Sequence, residues 1–348
     1  MTNIFMRKSI VVLEFSGQEI LAVQIRLSAT GLIIERSVRR HLPMGWGESL
    51  QIKIDFLKML WDEENFKVKD IIWVVPRMAV FSRQINLPPI AEADIVSAVK
   101  LAAEGQFPLP IDELHITHYR GEHSGQIIIW GLSNAYWEEM TKLFQQAGLN
   151  LVAAPLSSWV TGQALFYNVL DFPAEQEDIL CLQAGFDRIE VTAWQRGELY
   201  FHRVIPEAEA EEKLQLTLEG FFNRYRKSID KVYVLGRFLE EEPTLIPLLR
   251  HITQLNEDKI KFIKSLSSVS FLATADETDV GLLAPSIGAA LIRFNLRPHG
   301  INFYTPTPKE PALVRSPYFA AGIAAFAFFL WLFTDFSAYN AKEEIIRK

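Results

Sequence analysis

Cysteine is almost absent from this chain, which has Cys181 as the only one in 348 residues. A single thiol cannot form an internal disulfide, and a large body without disulfides is typical of a reducing compartment. Cys181 lies in an apolar run, where we expect a buried, inert thiol. A secretory leader is also missing, because the apolar run at residues 10–13 is short and Glu14 ends it. These absences predict that the large N-terminal part is cytoplasmic.

An excess of basic residues is lacking too: 35 Lys and Arg stand against 42 Asp and Glu, and the net charge is -7. Because phosphate binding needs a basic surface, this balance excludes nucleic acid as a main partner. Walker loops, nucleophile elbows and zinc-protease helices do not occur in the sequence. His115 and His118 are three positions apart on a predicted strand and point to opposite faces, which argues against a metal site with His123. We therefore predict no catalytic residue and no metal ligand.

Charge is absent from one long stretch near the end of the sequence, between Arg315 and Asp335. As a helix at about 1.5 Å per residue, its apolar part would span roughly 25 Å, enough to cross a thin hydrocarbon core. We predict a transmembrane helix at residues 318–335, with 336–348 beginning a periplasmic helix. A buried core helix is the alternative, although such a helix usually has a polar stripe. The residues that mark the predicted span are Tyr318, Gly322, Phe328, Trp331 and Thr334.

One pattern of strands and helices occurs twice in the chain. Three antiparallel strands joined by tight polar turns, then a helix, a strand and a helix, are predicted from residue 9 and again from residue 178. Such a repeat predicts an α/β fold of two similar lobes with a cleft between them. The predicted helices lie at residues 49–61, 91–104, 134–147, 157–168, 207–227, 244–254 and 283–293.

Four motifs, in order along the chain, carry a family resemblance. The first is Ile85-Asn-Leu-Pro88, followed by a predicted helix, the break Phe107-Pro-Leu-Pro110 and a strand ending in His118-Tyr119, where the family has Asp-Tyr. The other three are Arg203-Val-Ile-Pro206, Ala284-Pro-Ser-Ile-Gly-Ala-Ala-Leu291, and Phe294-Asn-Leu-Arg297 with Ile301-Asn-Phe303. Together they resemble the actin-like ATPase superfamily, and more closely the type IV pilus protein PilM and the type II secretion protein GspL.

The resemblance implies an actin-like body, a duplicated ribonuclease-H-like fold, followed by one transmembrane helix. Lobe I is expected at 1–155 with an insert at about 85–120, and lobe II with a return helix at 156–294. Residues 295–317 are expected to form a linker that carries a peptide similar to the one preceding the span of PilN. We expect this peptide to dock in a groove beside the insert, near residues 88–106. Its docking residues would be Asn295, Leu296, Ile301, Asn302 and Phe303.

The nucleotide site that the resemblance implies is eroded in this sequence. The superfamily needs an Asp-x-Gly in each of two phosphate-binding hairpins, so that the backbone can approach the phosphate and the carboxylate can hold the magnesium shell. The second hairpin here lacks the acid. The remnants are Glu14, Ser16, Gly17, Gln183, Gly185 and, from the adenosine-binding pair, Gly236. We therefore expect a pseudo-ATPase without bound ATP or Mg²⁺, and an ATP-binding protein is the alternative.

The function that the resemblance implies is that of a non-catalytic, single-pass inner-membrane platform subunit in a type II secretion or type IV pilus-like system. Its cytoplasmic body would act as a scaffold that recruits the hexameric assembly ATPase and links it to the membrane. Other expected partners are platform subunits such as PilN and PilO or GspM and GspF, and further copies of the chain in a homodimer or ring. The alternative is an ATP-binding switch of the PilM type. A small-molecule kinase is disfavoured, because no catalytic acid stands in a recognisable place.

Overall fold

The computed structural model describes most of the body of the chain. The described residues are 9–85, 87, 91, 94–121, 127–168, 177–185, 187–225, 229–236, 242–272, 275, 279–297 and 300–304. They all belong to one compact unit that ends at Tyr304. The predicted membrane helix at 318–335 lies outside them, as do residues 305–317 and 336–348. Within the described ranges, no helix is both long enough and apolar enough to cross a membrane.

Strands form the two lobes and helices cover them. The strands are β1 (Ser9–Ser16), β2 (Glu19–Ser28), β3 (Gly31–His41), β4 (Asp70–Val74), β5 (Val80–Ile85), β6 (Leu114–Arg120), β7 (Ile127–Ser133), β8 (Asn150–Ala153), β9 (Asp178–Ala184), β10 (Arg188–Gln195), β11 (Glu198–Pro206), β12 (Lys231–Gly236), β13 (Ile260–Phe262) and β14 (Val269–Phe271). The helices are α1 (Leu50–Glu63), α2 (Ile95–Ala103), α3 (Asn134–Gln146), α4 (Ser157–Asn168), α5 (Ala210–Tyr225), α6 (Glu242–Thr253) and α7 (Val280–Arg293).

The sheet of the first lobe is built on the predicted three-strand meander. β1, β2 and β3 pair antiparallel, and Gly17 and Gly31 reverse the chain between them with φ angles of 58° and 134°. β4 and β8 continue the sheet in parallel, and β14 pairs with β3 at the other edge. The resulting order is β14-β3-β2-β1-β4-β8. The sequence does not predict β14, because three residues are too few to show a period.

The sheet of the second lobe repeats this arrangement. Its order, β11-β10-β9-β12-β13, corresponds strand for strand to β3-β2-β1-β4-β8, with the same antiparallel meander and parallel additions. The predicted two-lobe α/β fold is therefore confirmed. Helix starts are less well predicted: α2 begins at Ile95 instead of residue 91, and α5 begins at Ala210 behind a 3₁₀ turn at Glu207–Glu209.

A third sheet forms the insert of the first lobe. Its strands are ordered β5-β7-β6, and α2 packs on it through a separate small core. The insert therefore runs from β5 to β7 and is wider than the expected 85–120. The buried residues of this core are Ile95, Val99, Ala103, Phe107, Leu114, Ile127 and Ile129.

Helices α4 and α7 join the two lobes. They pack so closely that a Cβ added at Gly288 would lie 1.8 Å from the carbonyl oxygen of Val160. Their apolar residues belong to one buried cluster that includes the first sheet and Trp194 and Tyr233 from the second. The expected lobe boundary at 155/156 therefore falls within a continuous core, and the outer side of lobe II holds a second cluster.

Candidate functional site

The segment 300–304 lies on the body and forms a single antiparallel β-bridge, between Asn302 and Pro155. The amide of Phe303 donates to the carbonyl oxygen of Ala154 at 2.9 Å, and the amide of Leu156 donates to the carbonyl oxygen of Ile301 at 3.3 Å. Backbone pairing and apolar burial hold this part of the expected linker on the body, where its peptide was expected to dock.

The side chains of this segment are well accommodated. Ile301 and Phe303 are 0% and 1% exposed. The Oδ1 atom of Asn302 accepts the amide of Ala154 at 2.8 Å and the amide of Tyr304 at 3.1 Å. Asn302 therefore ties the segment to the body and also fixes its own local turn.

The insert supplies the other wall of this groove through side chains of β6. His115 Nε2 lies 2.6 Å from the carbonyl oxygen of Phe303 and must donate, since a carbonyl only accepts. Thr117 Oγ1 donates to the carbonyl oxygen of Asn302 at 3.2 Å. The His115 ring stacks on Trp137 with centroids 4.4 Å apart, which fixes its orientation.

The groove lies beside the insert, as expected, but at a different part of it. It lies between β6 and residues 154–156 and not near residues 88–106. The available signal was the spacing of His115 and Thr117, because residues two apart on a strand point to the same face. That signal is weak, since it does not say what the face contacts.

Asn295 and Leu296, the other two predicted docking residues, follow the C-terminus of α7 and lie outside the groove. Asn295 has a positive φ of 58° and its amide donates to the carbonyl oxygen of Ile292 at 3.1 Å. The amide of Leu296 donates to the carbonyl oxygen of Leu291 at 2.9 Å. These two bonds form a Schellman motif, in which asparagine tolerates the left-handed conformation.

The two hairpins in which the sequence predicts remnants of a nucleotide site face each other across the lobes. Ser16 Oγ donates to Asp187 Oδ1, and a Cβ at Gly17 would lie 2.8 Å from Asp187 Oδ2. The guanidinium of Arg188 reaches between the hairpins and donates to Ser16 Oγ. Sequence reasoning missed Arg188, because an arginine beside a turn is usually exposed, whereas this side chain is 3% exposed.

Arg188 pairs with three carboxylates. Its Nη2 lies 2.9 Å from Glu14 Oε1, its Nε lies 3.1 Å from Glu190 Oε1, and its Nη1 lies 3.1 Å from Asp187 Oδ1. Glu14 and Glu190 are buried. Burial raises the pKa of Glu14 to about 7, and the attraction of Arg188 offsets only part of that effect. Burial lowers the pKa of Arg188, but Glu190 and Glu14 outweigh it and hold this pKa above its ordinary value.

Glu190 also contacts the start of α4. Ser157 Oγ donates to Glu190 Oε1 at 2.8 Å, and Ser158 Oγ donates to Oε2 at 2.9 Å. Both hydroxyls are buried in the first turn of the helix, where the helix dipole favours a negative charge. The carboxylate therefore joins α4 to the hairpins of both lobes. We call Glu14, Ser16, Asp187, Arg188 and Glu190 the Arg188 network.

Gln183, at the end of β9 in the second hairpin, has a structural role. Its Nε2 donates to the carbonyl oxygen of Gly281 at 3.0 Å, and its Oε1 accepts from Thr161 Oγ1 at 3.1 Å. The carbonyl of Gly281 is free inside α7 because Pro285, four residues later, has no amide hydrogen. Gln183 therefore compensates for a proline within a helix.

Gly236, which the sequence analysis assigns to an adenosine-binding pair, is required for close packing. It has a φ of 83°, and a Cβ there would lie 2.2 Å from the carbonyl oxygen of Ala184. A Cβ at Gly281 would lie 1.8 Å from the backbone nitrogen of Gly236. The two glycines let α7 meet the end of β12. The amide of Gly185 donates to the carbonyl oxygen of Arg188 at 2.8 Å and closes the second hairpin.

The remaining candidates from the sequence are Cys181 and the histidines at 118 and 123. Cys181 is buried as predicted, and burial raises the pKa of its thiol to about 12. His118 lies on β6, and His123 falls outside the described residues. No group of metal-ligating side chains occurs in the described part of the chain.

Comparison with known proteins identifies the fold. No protein-family model and no curated protein matches the chain. A solved PilM-PilN type IV pilus biogenesis complex matches 84% of this chain and 100% of its own, with a TM-score of 0.67 and 16% identity. The cytoplasmic domain of EpsL, an inner membrane component of the type II secretion system of Vibrio cholerae, matches 87% of this chain and 100% of its own, with a TM-score of 0.52 and 9% identity. The chain therefore has the actin-like fold that its repeat and motifs predict, in the form found in PilM and in the cytoplasmic domain of EpsL.

Proposed function

We propose that the chain is a non-catalytic platform subunit of a type IV pilus or type II secretion system. The observation that carries this proposal is the segment 300–304, which pairs with a groove on an actin-like body. An uncharged apolar stretch follows it in the sequence at 318–334. One solved relative of this fold is a PilM-PilN complex, and the other is part of an inner membrane component. A PilN-like peptide is thus covalently joined to its receptor in this chain.

The tether gives the platform its mechanical role. A docking segment on the same chain binds at a high effective concentration, so a short groove suffices to hold it. In this proposal the predicted helix at 318–335 spans the inner membrane once, and the body lies on the cytoplasmic side. The body then recruits the hexameric assembly ATPase, while PilN/PilO-like or GspM/GspF-like subunits and further copies of the chain assemble around the membrane helix.

The Arg188 network supports a non-catalytic role. Three carboxylates converge on one guanidinium between the hairpins, so the local charge opposes a polyphosphate. A nucleotide would also have to displace Arg188 from buried partners, which leaves charges unpaired. These residues fit a magnesium nucleotide poorly, and Gln183 is engaged by α7.

A nucleotide titration tests the non-catalytic part of the proposal. We expect no saturable signal when a fluorescent ATP analogue is titrated into residues 1–310 with Mg²⁺. Saturable magnesium-dependent binding at micromolar concentration would instead support the ATP-binding switch of the PilM type.

Release of the segment tests the tether. Ile301→Asp with Phe303→Asp places two carboxylates in fully buried positions, so we expect amide hydrogen exchange in 300–304 to become as fast as in an unfolded peptide. The matched control is Met44→Asp with Met78→Asp, which adds the same charges at side chains that are 99% and 57% exposed. Unchanged protection of the segment in the first variant would contradict the tether.

Binding of the assembly ATPase tests the platform role. We expect the purified hexameric ATPase of the same system to bind the full chain, as measured by analytical ultracentrifugation of the mixture. A mixture that sediments as two independent species at concentrations of about 10 μM would contradict this role, because weak signalling contacts are still detectable in that range.

A further inference from the structure

The short stretch 154–158 contacts both candidate sites. On one side, the amide of Leu156 donates to the carbonyl oxygen of Ile301. On the other side, Ser157 and Ser158 donate to the buried carboxylate of Glu190. Neighbouring residues of one turn therefore contact the docking segment on one side and the Arg188 network on the other.

This turn is also fixed to the first sheet. The amide of Val75 donates to the carbonyl oxygen of Pro155 at 2.8 Å, and the amide of Ser157 donates to the carbonyl oxygen of Val75 at 3.0 Å. Gly300 lies against the ring of Trp159, where a Cβ would come within 2.0 Å of the ring carbon Cε2. A displacement of the docking segment therefore acts on the first turn of α4 through both backbone and ring contacts.

We propose that the seated segment 300–304 and the Arg188 network stabilise each other through the first turn of α4, so that this segment, in place of a nucleotide, determines how firmly the two lobes are held together. The inference rests on the docking role proposed above for the segment.

The physical basis is the cost of an unsatisfied buried carboxylate. If the first turn of α4 shifts when the segment leaves, Glu190 loses two hydroxyl donors at a position where no water replaces them at once. Arg188 is then paired with a Glu190 carboxylate that has fewer hydrogen-bond donors. The contacts of Arg188 with Glu14 and Ser16 in the other lobe are weakened as a result. Because coupling between two sites is reciprocal, weakening the network must loosen the segment by the same factor.

The forward test measures amide exchange in the full chain. Ser157→Ala removes one donor to Glu190, together with the acceptor of the Arg77 amide, and leaves both the segment and Arg188 unchanged. We expect it to speed exchange at the Phe303 and Ala154 amides by about 5- to 150-fold, the usual range of coupling between sites. Arg188→Met is the stronger variant and should have at least the same effect.

The control separates coupling from general destabilisation. Leu249→Ala removes a fully buried side chain in the outer core of lobe II, which neither site contacts. It should lower the urea midpoint without changing exchange at Phe303 under native conditions. Equal acceleration at Phe303 in Leu249→Ala and Ser157→Ala would overturn the inference.

The reverse test uses Ile301→Asp with Phe303→Asp. By reciprocity, exchange at the Gly185 amide, which closes the second hairpin on the Arg188 carbonyl, should accelerate by a similar factor. A wild-type Phe303 amide without protection would overturn both the docking role and the inference. Protection in the wild type that Ser157→Ala and Arg188→Met leave unchanged would overturn the inference alone.

Discussion

At the scale of single residues, Arg188 decides how the lobes meet. A buried cation contributes little net stability when its partners are desolvated with it, but its removal is costly because the partners stay buried. Here it contacts Glu14 and Ser16 of the first lobe, and Asp187 and Glu190 of the second. The pair of lobes is therefore held by specific geometry in addition to the apolar contacts of α4 and α7.

Glu14 makes stability depend on pH. The pKa of Glu14 is about 7 in the folded protein, against an ordinary value of 4.5 for an exposed carboxyl. The folded state therefore binds the proton more tightly than the unfolded chain does. The stabilisation from this group is complete below about pH 4.5 and is lost as the pH rises through about 7, with a total of about 3 kcal/mol. Urea titrations should therefore show wild-type stability falling between about pH 5 and about pH 8.

The variant Glu14→Gln tests this assignment. A glutamine keeps the size of the side chain and cannot titrate, so the fall in stability over that pH range should disappear. The comparison is made with Glu35→Gln. Burial acts to raise the pKa of the Glu35 carboxyl, but hydrogen bonds from Gln24 and Arg26 outweigh it and lower this pKa from its ordinary value. A wild-type profile that is flat across the range, or a Glu14→Gln profile that still falls, is incompatible with the assignment.

At the scale of elements, the sequence predicts what local patterns can show. The strands of both meanders follow from short apolar runs and from turns at Gly17 and Gly197, which have positive φ angles. α7 is predicted only from residue 283, whereas the helix begins at Val280 and contains Pro285 in its interior. The difference arises because Gln183, about a hundred positions earlier, satisfies the carbonyl that the proline leaves free.

The packing of α4 on α7 gives a prediction about glycine. Gly288→Ala places a Cβ 1.8 Å from the carbonyl oxygen of Val160, so the helices must separate and lose buried contacts. We expect the free energy of unfolding to fall by about 1–3 kcal/mol, measured by urea denaturation. Gly220→Ala is the control: Gly220 lies exposed in α5 with no atom within 4 Å of an added Cβ.

The control should change stability in the opposite direction. An alanine in an exposed helix interior has less backbone freedom to lose than a glycine, which stabilises the folded state by about 0.5–1 kcal/mol. If Gly288→Ala and Gly220→Ala shift the urea midpoint in the same direction, the close approach of α4 and α7 is not a feature of the folded protein in solution.

At the scale of the whole molecule, long-range contacts limit what the sequence can predict. Glu14 and Arg188 are 174 positions apart, and His115 and the carbonyl of Phe303 are 188 apart. No periodicity or turn signal relates such positions, so the Arg188 network and the wall formed by β6 follow only from the assembled sheets. The two hairpins could be recognised from motifs, whereas the arginine that lies between them could not.

The end of the body gives the last prediction. The compact unit ends at Tyr304, and the full burial of Ile301 and Phe303 contributes about 1.5–3 kcal/mol for each side chain before the cost of ordering the segment. A chain truncated after Tyr304 keeps this burial and serves as the reference. A chain truncated after Arg297 should lose about 2–4 kcal/mol.

A synthetic peptide with the sequence of residues 300–304 provides the deciding measurement. If the groove persists in the shorter chain, the peptide should raise its melting temperature in proportion to the logarithm of peptide concentration once the site is nearly saturated. A peptide with Asn302 replaced by alanine should be weaker, because the Ala154 amide then has no acceptor in the groove. Equal urea midpoints for the two truncated chains would mean that the segment adds nothing to the body and that its burial has no energetic consequence.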